Sequence, residues 1–256
     1  MSLSDMVGLG ASAAGVFGAL YGLSHWLRTR YMSTLGSRRA ESALLRKLAC
    51  GMTVQRAETL LGPPMFRRPV EGVTGALEHL YRLEHCWLQL IVDGSAEVSR
   101  IAITSMDRKF RIDMTNLTLG MLRFTLGEVS FFQINQEPTG VWVDIGARRF
   151  RYAESYYFGN PGGYQQYLLC YNDTSDIGHA EPSILTSHGV LGHASGLLAA
   201  LEVGSSQFFD LSSAPVRTFR STARPNTLVI VRWDRDNLID KPPFGPDLDH
   251  VRVLHS

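Results

Sequence analysis

Cysteine is scarce in this chain of 256 residues: Cys50, Cys86 and Cys170 are the only three. An odd number at wide spacing gives no disulfide framework and no CxxC metal knuckle. Reduced thiols fit a cytoplasmic domain. Charge is thin as well, at 19%, and the net value of +1 gives no global bias toward nucleic acid. Hydrophobic residues make up 45%, so the chain is globular rather than disordered. Catalytic signatures are missing too. GxSxG is absent, and Gly192-His193-Ala194-Ser195-Gly196 lacks its spacing. HExxH is absent, and Gly159 to Gly163 contains neither GxGxxG nor a Walker pattern. Nothing in the sequence implies a cofactor.

The longest gap in charge runs from Met6 to Leu27, MVGLGASAAGVFGALYGLSHWL, 22 residues without a charged side chain. At about 1.5 Å per residue such a helix spans a hydrocarbon core of roughly 30 Å. Five of its residues are Gly and four Ala, so its apolar force rests on Met6, Val7, Leu9, Val16, Phe17, Leu20, Leu23 and Leu27. Tyr21, Trp26 and Tyr31 fall near one end, where amphipathic rings prefer the headgroup layer. A cleaved signal peptide wants cations before its apolar region, and here only Asp5 precedes it. A buried helix of a soluble domain is the other alternative to an uncleaved single span. Arg28, Arg30, Arg38, Arg39, Arg46 and Lys47 follow, against Glu41 alone. Cationic flanks stay cytoplasmic, so the N-terminus is expected outside and the main domain inside. Gly10, Ala14, Gly18 and Gly22 fall four apart on one ridge, a small-residue pattern that lets two membrane helices approach and self-associate. Ala11, Gly15 and Ala19 form a second such ladder. Leu48-Ala49-Cys50-Gly51 imitates a lipoprotein cleavage site, but Arg46 and Lys47 stand where an apolar run is required.

Beyond the anchor, at residues 1–30, the apolar spacing of Ala40, Leu44, Leu45 and Leu48 predicts a helix over Ser37 to Ala49. Gly51 ends it, and Thr53 can cap the next helix. Val54, Ala57, Leu60 and Leu61 make that helix's stripe, stopped by Gly62 and Pro63-Pro64. Arg67 to Gly75 reads as a polar loop. Cys86, Leu88, Leu90 and Val92 then alternate, Asp93-Gly94 turns, and Val98 to Thr104 resumes a strand.

These residues carry a resemblance. Leu48-x-x-Gly51-Met52-Thr53, then Ala57-Glu58-x-x-Leu61-Gly62-x-Pro64, then Leu88-x-Leu90-x-Val92-Asp93-Gly94 and Val98-x-x-Ile101 resemble the BamE (SmpA/OmlA) family over Leu44 to Ile103. The same helix–helix–sheet module resembles half of the beta-lactamase inhibitor protein. The resemblance implies a binding or scaffolding domain and no catalytic residues. Members of that family usually lie outside the cytoplasm, which departs from the orientation that the flanking cations imply.

In the second region, 106–256, Leu119-Gly120 to Leu126-Gly127 reads as a short helix bounded by glycines. Val141 to Ile145, Phe150 to Phe158, Tyr164 to Asn172 and Thr227 to Trp233 read as strands. Asn160-Pro161-Gly162-Gly163 is a turn by composition, Gly196 to Glu202 a helix, and the tail from Lys241 an irregular ending. The fold class is therefore α+β: a transmembrane helix, then helix–helix–antiparallel-sheet modules, one at 31–105 and a mainly β region that repeats the plan loosely.

Two constellations stand out. Asp176, His179, Glu181, His188 and His193 are metal-ligand types within 18 residues. His188 and His193, five apart, would lie about 140° apart on a helix, so surface-loop histidines are the plainer reading. The second is a set of rings around one presumed hairpin, among them Tyr156, Tyr157, Tyr164 and Tyr167. A sheet core is the bland account. The functional one is a recognition face, because tyrosine suits interfaces where the ring is buried and the hydroxyl wet. On it, Tyr156 and Tyr157 point to opposite sheet faces. The leading expectation is a membrane-tethered, non-enzymatic binding or scaffolding protein whose partners are the membrane, another protein and a second copy of its own membrane helix, but no nucleic acid. The alternative is a membrane-bound, metal-dependent hydrolase using the His179–His193 region.

Overall fold

The computed structural model describes residues 36–70, 73–146, 149–175, 177–187 and 211–232. Met6–Leu27, with Gly10, Ala14, Gly18 and Gly22, lies outside the described residues; so do Asp176, His188, His193, Gly196–Glu202 and the tail from Lys241. No helix among the described residues is long and apolar enough to cross a membrane. The chain divides into two units between Ala43 and Leu44. Of the first, the described part is the body of helix α1 (Ser37–Leu45). That helix stops short of the expected Ala49. Lys47 N–H donates to Leu44 O at 3.0 Å and Leu48 N–H to Leu45 O at 3.1 Å, bonds of the tighter i→i−3 kind.

In the second unit, helix α2 (Val54–Leu61) begins where the Thr53 side chain accepts from the Arg56 N–H at 3.3 Å. It ends at Gly62, whose φ of +80° suits a residue without a Cβ, and Gly51 likewise stands at φ +87°. Of its apolar stripe Ala57 is fully buried, whereas Val54, Leu60 and Leu61 are half-buried. Eight strands follow among the described residues: β1 (Phe66–Pro69), β2 (Leu77–Arg82), β3 (Cys86–Val92), β4 (Val98–Ser105), β5 (Gly140–Gly146), β6 (Arg149–Tyr157), β7 (Gln165–Asn172) and β8 (Thr227–Arg232). They form one sheet in the order β1-β2-β3-β4-β8-β7-β6-β5, antiparallel at every step. Each half is a four-stranded meander, and the last strands of the two halves pair in the middle. At that seam Ile101 faces Ile230, Ile103 faces Leu228, and the Thr104 and Thr227 hydroxyls hydrogen-bond at 2.8 Å. The regions 31–105 and 106–256 thus share a sheet.

One face packs against helices. Leu88, Leu90, Ile101, Ile103, Leu228, Ile230 and Tyr167 cluster with Ala57 of α2, Met114 and Leu117 of α3 (Met114–Leu117), and Val216 and Phe219 of α5 (Ala214–Thr222). A fully buried Leu of this kind contributes about 1.5–3 kcal/mol. The opposite face is buried as well, through Ala102, Ala153, Leu168, Cys170 and Val229. Strands buried on both faces lose the alternation that a half-exposed strand shows. β2 (LEHLYR) shows no such pattern for that reason.

Two expectations need correction. The loop from Arg67 holds edge strand β1, whose Phe66 and Arg68 pair with Leu80 and Glu78. The short helix placed between Leu119 and Gly127 is instead α3, capped by Asp113, whose carboxylate accepts from the Thr115 N–H at 2.9 Å. Leu119 at φ +54° and Gly120 at φ +82° take the chain out of that helix, and the following residues form turns. A 3-10 turn at Phe131–Gln133 precedes β5, another at Asn160–Gly162 joins β6 to β7, and α4 (Pro182–Ser187) lies between β7 and α5.

Candidate functional site

The tyrosine cluster separates into core and surface. The register sets Tyr156 opposite Tyr167 and Tyr157 opposite Gln166, so the two adjacent rings do point to opposite faces. Tyr156 and Tyr167 are 1% and 0% exposed, which makes them core residues that cannot touch a partner. The Tyr167 hydroxyl donates to Gly162 O at 2.9 Å and pins the hairpin turn. Burial raises its pKa to about 12. Tyr157 is half-buried, and Tyr164 is 57% exposed.

Beneath that cluster lies a polar knot that the sequence did not disclose. Glu154 is fully buried among Tyr152, Tyr156 and Phe131. Its Oε1 accepts from the Tyr152 hydroxyl and Arg220 Nε, both at 2.6 Å; its Oε2 accepts from the Tyr156 hydroxyl at 2.5 Å and Arg220 Nη2 at 3.3 Å. Burial, then the Glu154 charge, pushes both phenols well above the ordinary value. Phe131, Phe219 and Tyr152 close over the knot in edge-to-face contacts, with Phe131 and Phe219 each within 5 Å of the Tyr152 ring, at 4.9 and 4.8 Å. The signal available in sequence was a Glu alternating with two Tyr on one strand face. The partner Arg lies 66 residues away, out of reach of local pattern. With every oxygen satisfied, this carboxylate is a clamp between β6 and α5.

The other titratable candidates are likewise held. His179 Nε2 meets Glu181 Oε1 at 3.2 Å with both side chains more than half exposed. Among the described residues no three His, Cys, Asp or Glu side chains are grouped to hold a metal. His85 Nδ1 lies 3.1 Å from Asp107, and its ring stacks on Phe110. Cys86 and Cys170 are buried, and burial raises the Cys50 thiol to about 12, far from a reactive thiolate. An open cleft of about 650 Å³ is bordered by Arg111, Glu128, His179 and Arg224. Arg111 and Glu128 pair there at 3.2 Å.

Two surface features remain. At the β1 edge, Met65 and Phe66 are exposed beside Arg67, which pairs with Glu58 at 2.5 Å, and Arg68, which pairs with Glu78. At the turn end of β6 and β7, Tyr164 and Leu119 are the two most exposed large apolar side chains among the described residues, at 57% and 56%. Both hold φ +54°, a left-handed conformation that costs residues with a Cβ. They belong to touching loops: a Cβ built on Gly163 would stand 2.9 Å from Leu119 Cδ1. Compared with known protein families, with curated proteins and with solved structures, the chain matches none.

Proposed function

We propose that this chain is a membrane-tethered, non-enzymatic binding or scaffolding protein: an N-terminal span followed by two helix–helix–sheet modules in tandem. The observation that carries the binding role is the β1 edge. It presents Phe66, and Met65 just before it, to solvent at a terminal strand of the sheet. An edge strand offers backbone donors and acceptors that a partner's strand can complete, with exposed side chains adding apolar contact. Pro69 and the two ion-paired arginines keep the edge short and charged, which restrains indiscriminate pairing.

Support for the tandem plan comes from strand order. In each half, two helical pieces precede the first strand: α1 and α2 before β1, α3 and the Phe131–Gln133 turn before β5. The meanders then meet through β4 and β8. The halves differ at one connection. β3 and β4 are joined by a tight turn, whereas α4 and α5 intervene between β7 and β8. The resemblance of Leu44 to Ile103 to the BamE family motivates the same plan for the first module. The tether rests on the uncharged run Met6–Leu27, and the cytoplasmic placement on the six cations that follow it.

Site-specific photo-crosslinking in intact membranes tests the binding role. A photoreactive residue at Phe66 is expected to give a protein adduct of discrete mass that the same probe at Thr59, exposed on α2, does not give. Equal, diffuse labelling from both positions would remove the edge as a binding site.

A further inference from the structure

We infer that the end of the sheet carrying Leu119 and Tyr164 docks flat on an anionic lipid surface, an inference that rests on the membrane-tethered reading above. Five observations converge on that end. First, antiparallel register puts the β6–β7 turn, the β3–β4 turn and the β1–β2 loop at the same end, because Gln165 pairs with Arg232, Arg100 with Val231, and Leu77 with Val92. Second, the exposed apolar side chains there are Leu119, Tyr164, Val73 and Leu77. Leu77 and the Tyr164 turn are four strand spacings apart, at about 4.8 Å each, so the apolar contacts are spread along an edge rather than gathered in a pocket.

Third, the two most exposed are held there by strained backbone. Strain at a surface residue persists only when the surroundings enforce it, and it marks positions where the side chain's placement is used. Leu119 touches Gly163 on one side, yet more than half of its surface still faces solvent.

Fourth, the charges suit anionic headgroups. Arg123 is exposed, and its Nε donates to Gly120 O at 3.2 Å, directly beside Leu119. Arg46 and Lys47 are exposed, and Arg46 acts on Asp113 at the start of α3. Among the described residues the acidic groups at this end are Asp113, Glu97 and Asp93, and the sequence between β1 and β2 adds Glu71. Glu97 is paired with Arg232 at 2.5 Å, and Asp93 accepts from the Ser95 and Glu97 N–H groups at 3.0 and 3.1 Å.

Fifth, the chain joins the rest of the fold at this same end. Gly51 N–H donates to Val98 O at 2.7 Å and Val98 N–H to Met52 O at 2.8 Å, at the start of β4. Leu27 precedes Leu44 by 17 residues, at most about 60 Å of extended chain. A tether of that reach lets this end meet the bilayer, so contacts too weak to bind alone become effectively intramolecular. Tyr and Leu beside Arg and Lys are the side chains that settle at a headgroup boundary.

The test uses the full chain reconstituted in vesicles of phosphatidylcholine and phosphatidylglycerol, with an environment-sensitive fluorophore at Asn160→Cys. Asn160 is exposed next to the patch, so Leu119 and Tyr164 stay intact. The control is a fluorophore at Glu84→Cys, in the turn at the opposite end of the sheet. The expected result is severalfold stronger quenching at position 160 than at 84 by lipids with a spin label near the headgroup. Leu119→Gly and Tyr164→Gly together should abolish the difference without lowering the melting temperature, since glycine relieves the positive φ. Equal quenching at both positions in a protein that floats with the vesicles would overturn the docking and leave the tether standing. A protein that does not float would overturn the tether and the docking together. A difference that survives the double glycine variant would show that something other than this patch holds the end near lipid, and would also overturn the proposal.

Discussion

Arg220 on α5 reaches across to Glu154 on β6, with Nε donating to Oε1 at 2.6 Å and Nη2 to Phe131 O at 3.4 Å. One guanidinium thereby joins a helix, a strand and the 3-10 turn before β5. A buried ion pair is weak evidence for net stability, because desolvation offsets most of the attraction. Breaking it from one side is different. Arg220→Met leaves a buried carboxylate without its cation, which is expected to cost roughly 3–5 kcal/mol. Glu154→Gln with Arg220→Met should recover most of that loss, because the neutral amide needs no cation and still offers an acceptor to the Tyr152 and Tyr156 hydroxyls. Urea unfolding measures both, and a single variant within about 1 kcal/mol of wild type would mean that water reaches the pair.

The same knot sets an alkaline limit. Burial first, and Glu154 second, hold the Tyr152 and Tyr156 phenols above their ordinary 10.0. The folded state therefore keeps protons that the unfolded chain releases above that pH. This contribution is fully present below pH 10 and is lost as pH rises beyond it. The melting temperature should fall steeply above pH 10. Tyr152→Phe with Tyr156→Phe should lower it at pH 8 but make the alkaline fall shallower. Parallel profiles for the variant and wild type would assign the fall to other groups.

Gly62 isolates backbone strain from packing. Its φ is +80°, and a Cβ there would meet nothing within 4 Å. Gly62→Ala is expected to cost on the order of 1 kcal/mol through conformation alone, and Gly62→Asn less. Leu61 next to it is only half-buried, so Leu61→Ala should fall near 1–2 kcal/mol, at or below the bottom of the roughly 2–5 kcal/mol range for buried sites. A loss above about 3 kcal/mol in Leu61→Ala would place that side chain deeper than it stands here.

These positions also show how far the sequence reaches. Gly51, Thr53 and Gly62 were legible because caps and positive φ demand particular residues locally. The Cys86–Val92 and Val98–Ser105 hairpin was legible through Asp93-Gly94 between apolar runs. β1 and β2 were not, because one is a short edge carrying Arg67 and Arg68 and the other is buried on both faces. Tyr156 and Tyr167 announced aromatic pairing but not its depth. Only the tertiary meeting of β6, β7 and α5 makes them core. Leu119 reads as the start of a helix because its left-handed backbone breaks the usual link between residue type and conformation.

The small-residue ridge of the N-terminal run makes its own prediction. Gly18→Ile should disrupt self-association in a membrane-helix association assay, and Gly15→Ile on the other ridge should not. Equal signals from wild type, Gly18→Ile and a monomeric control would leave the run as a simple anchor.

The central claim, a single span that leaves the sheet domain on the cytoplasmic side, is tested most directly by a pair of C-terminal fusions. The six cations that follow Leu27 predict a bright green fluorescent protein and an inactive alkaline phosphatase. An active phosphatase with a dark fluorescent protein would contradict it.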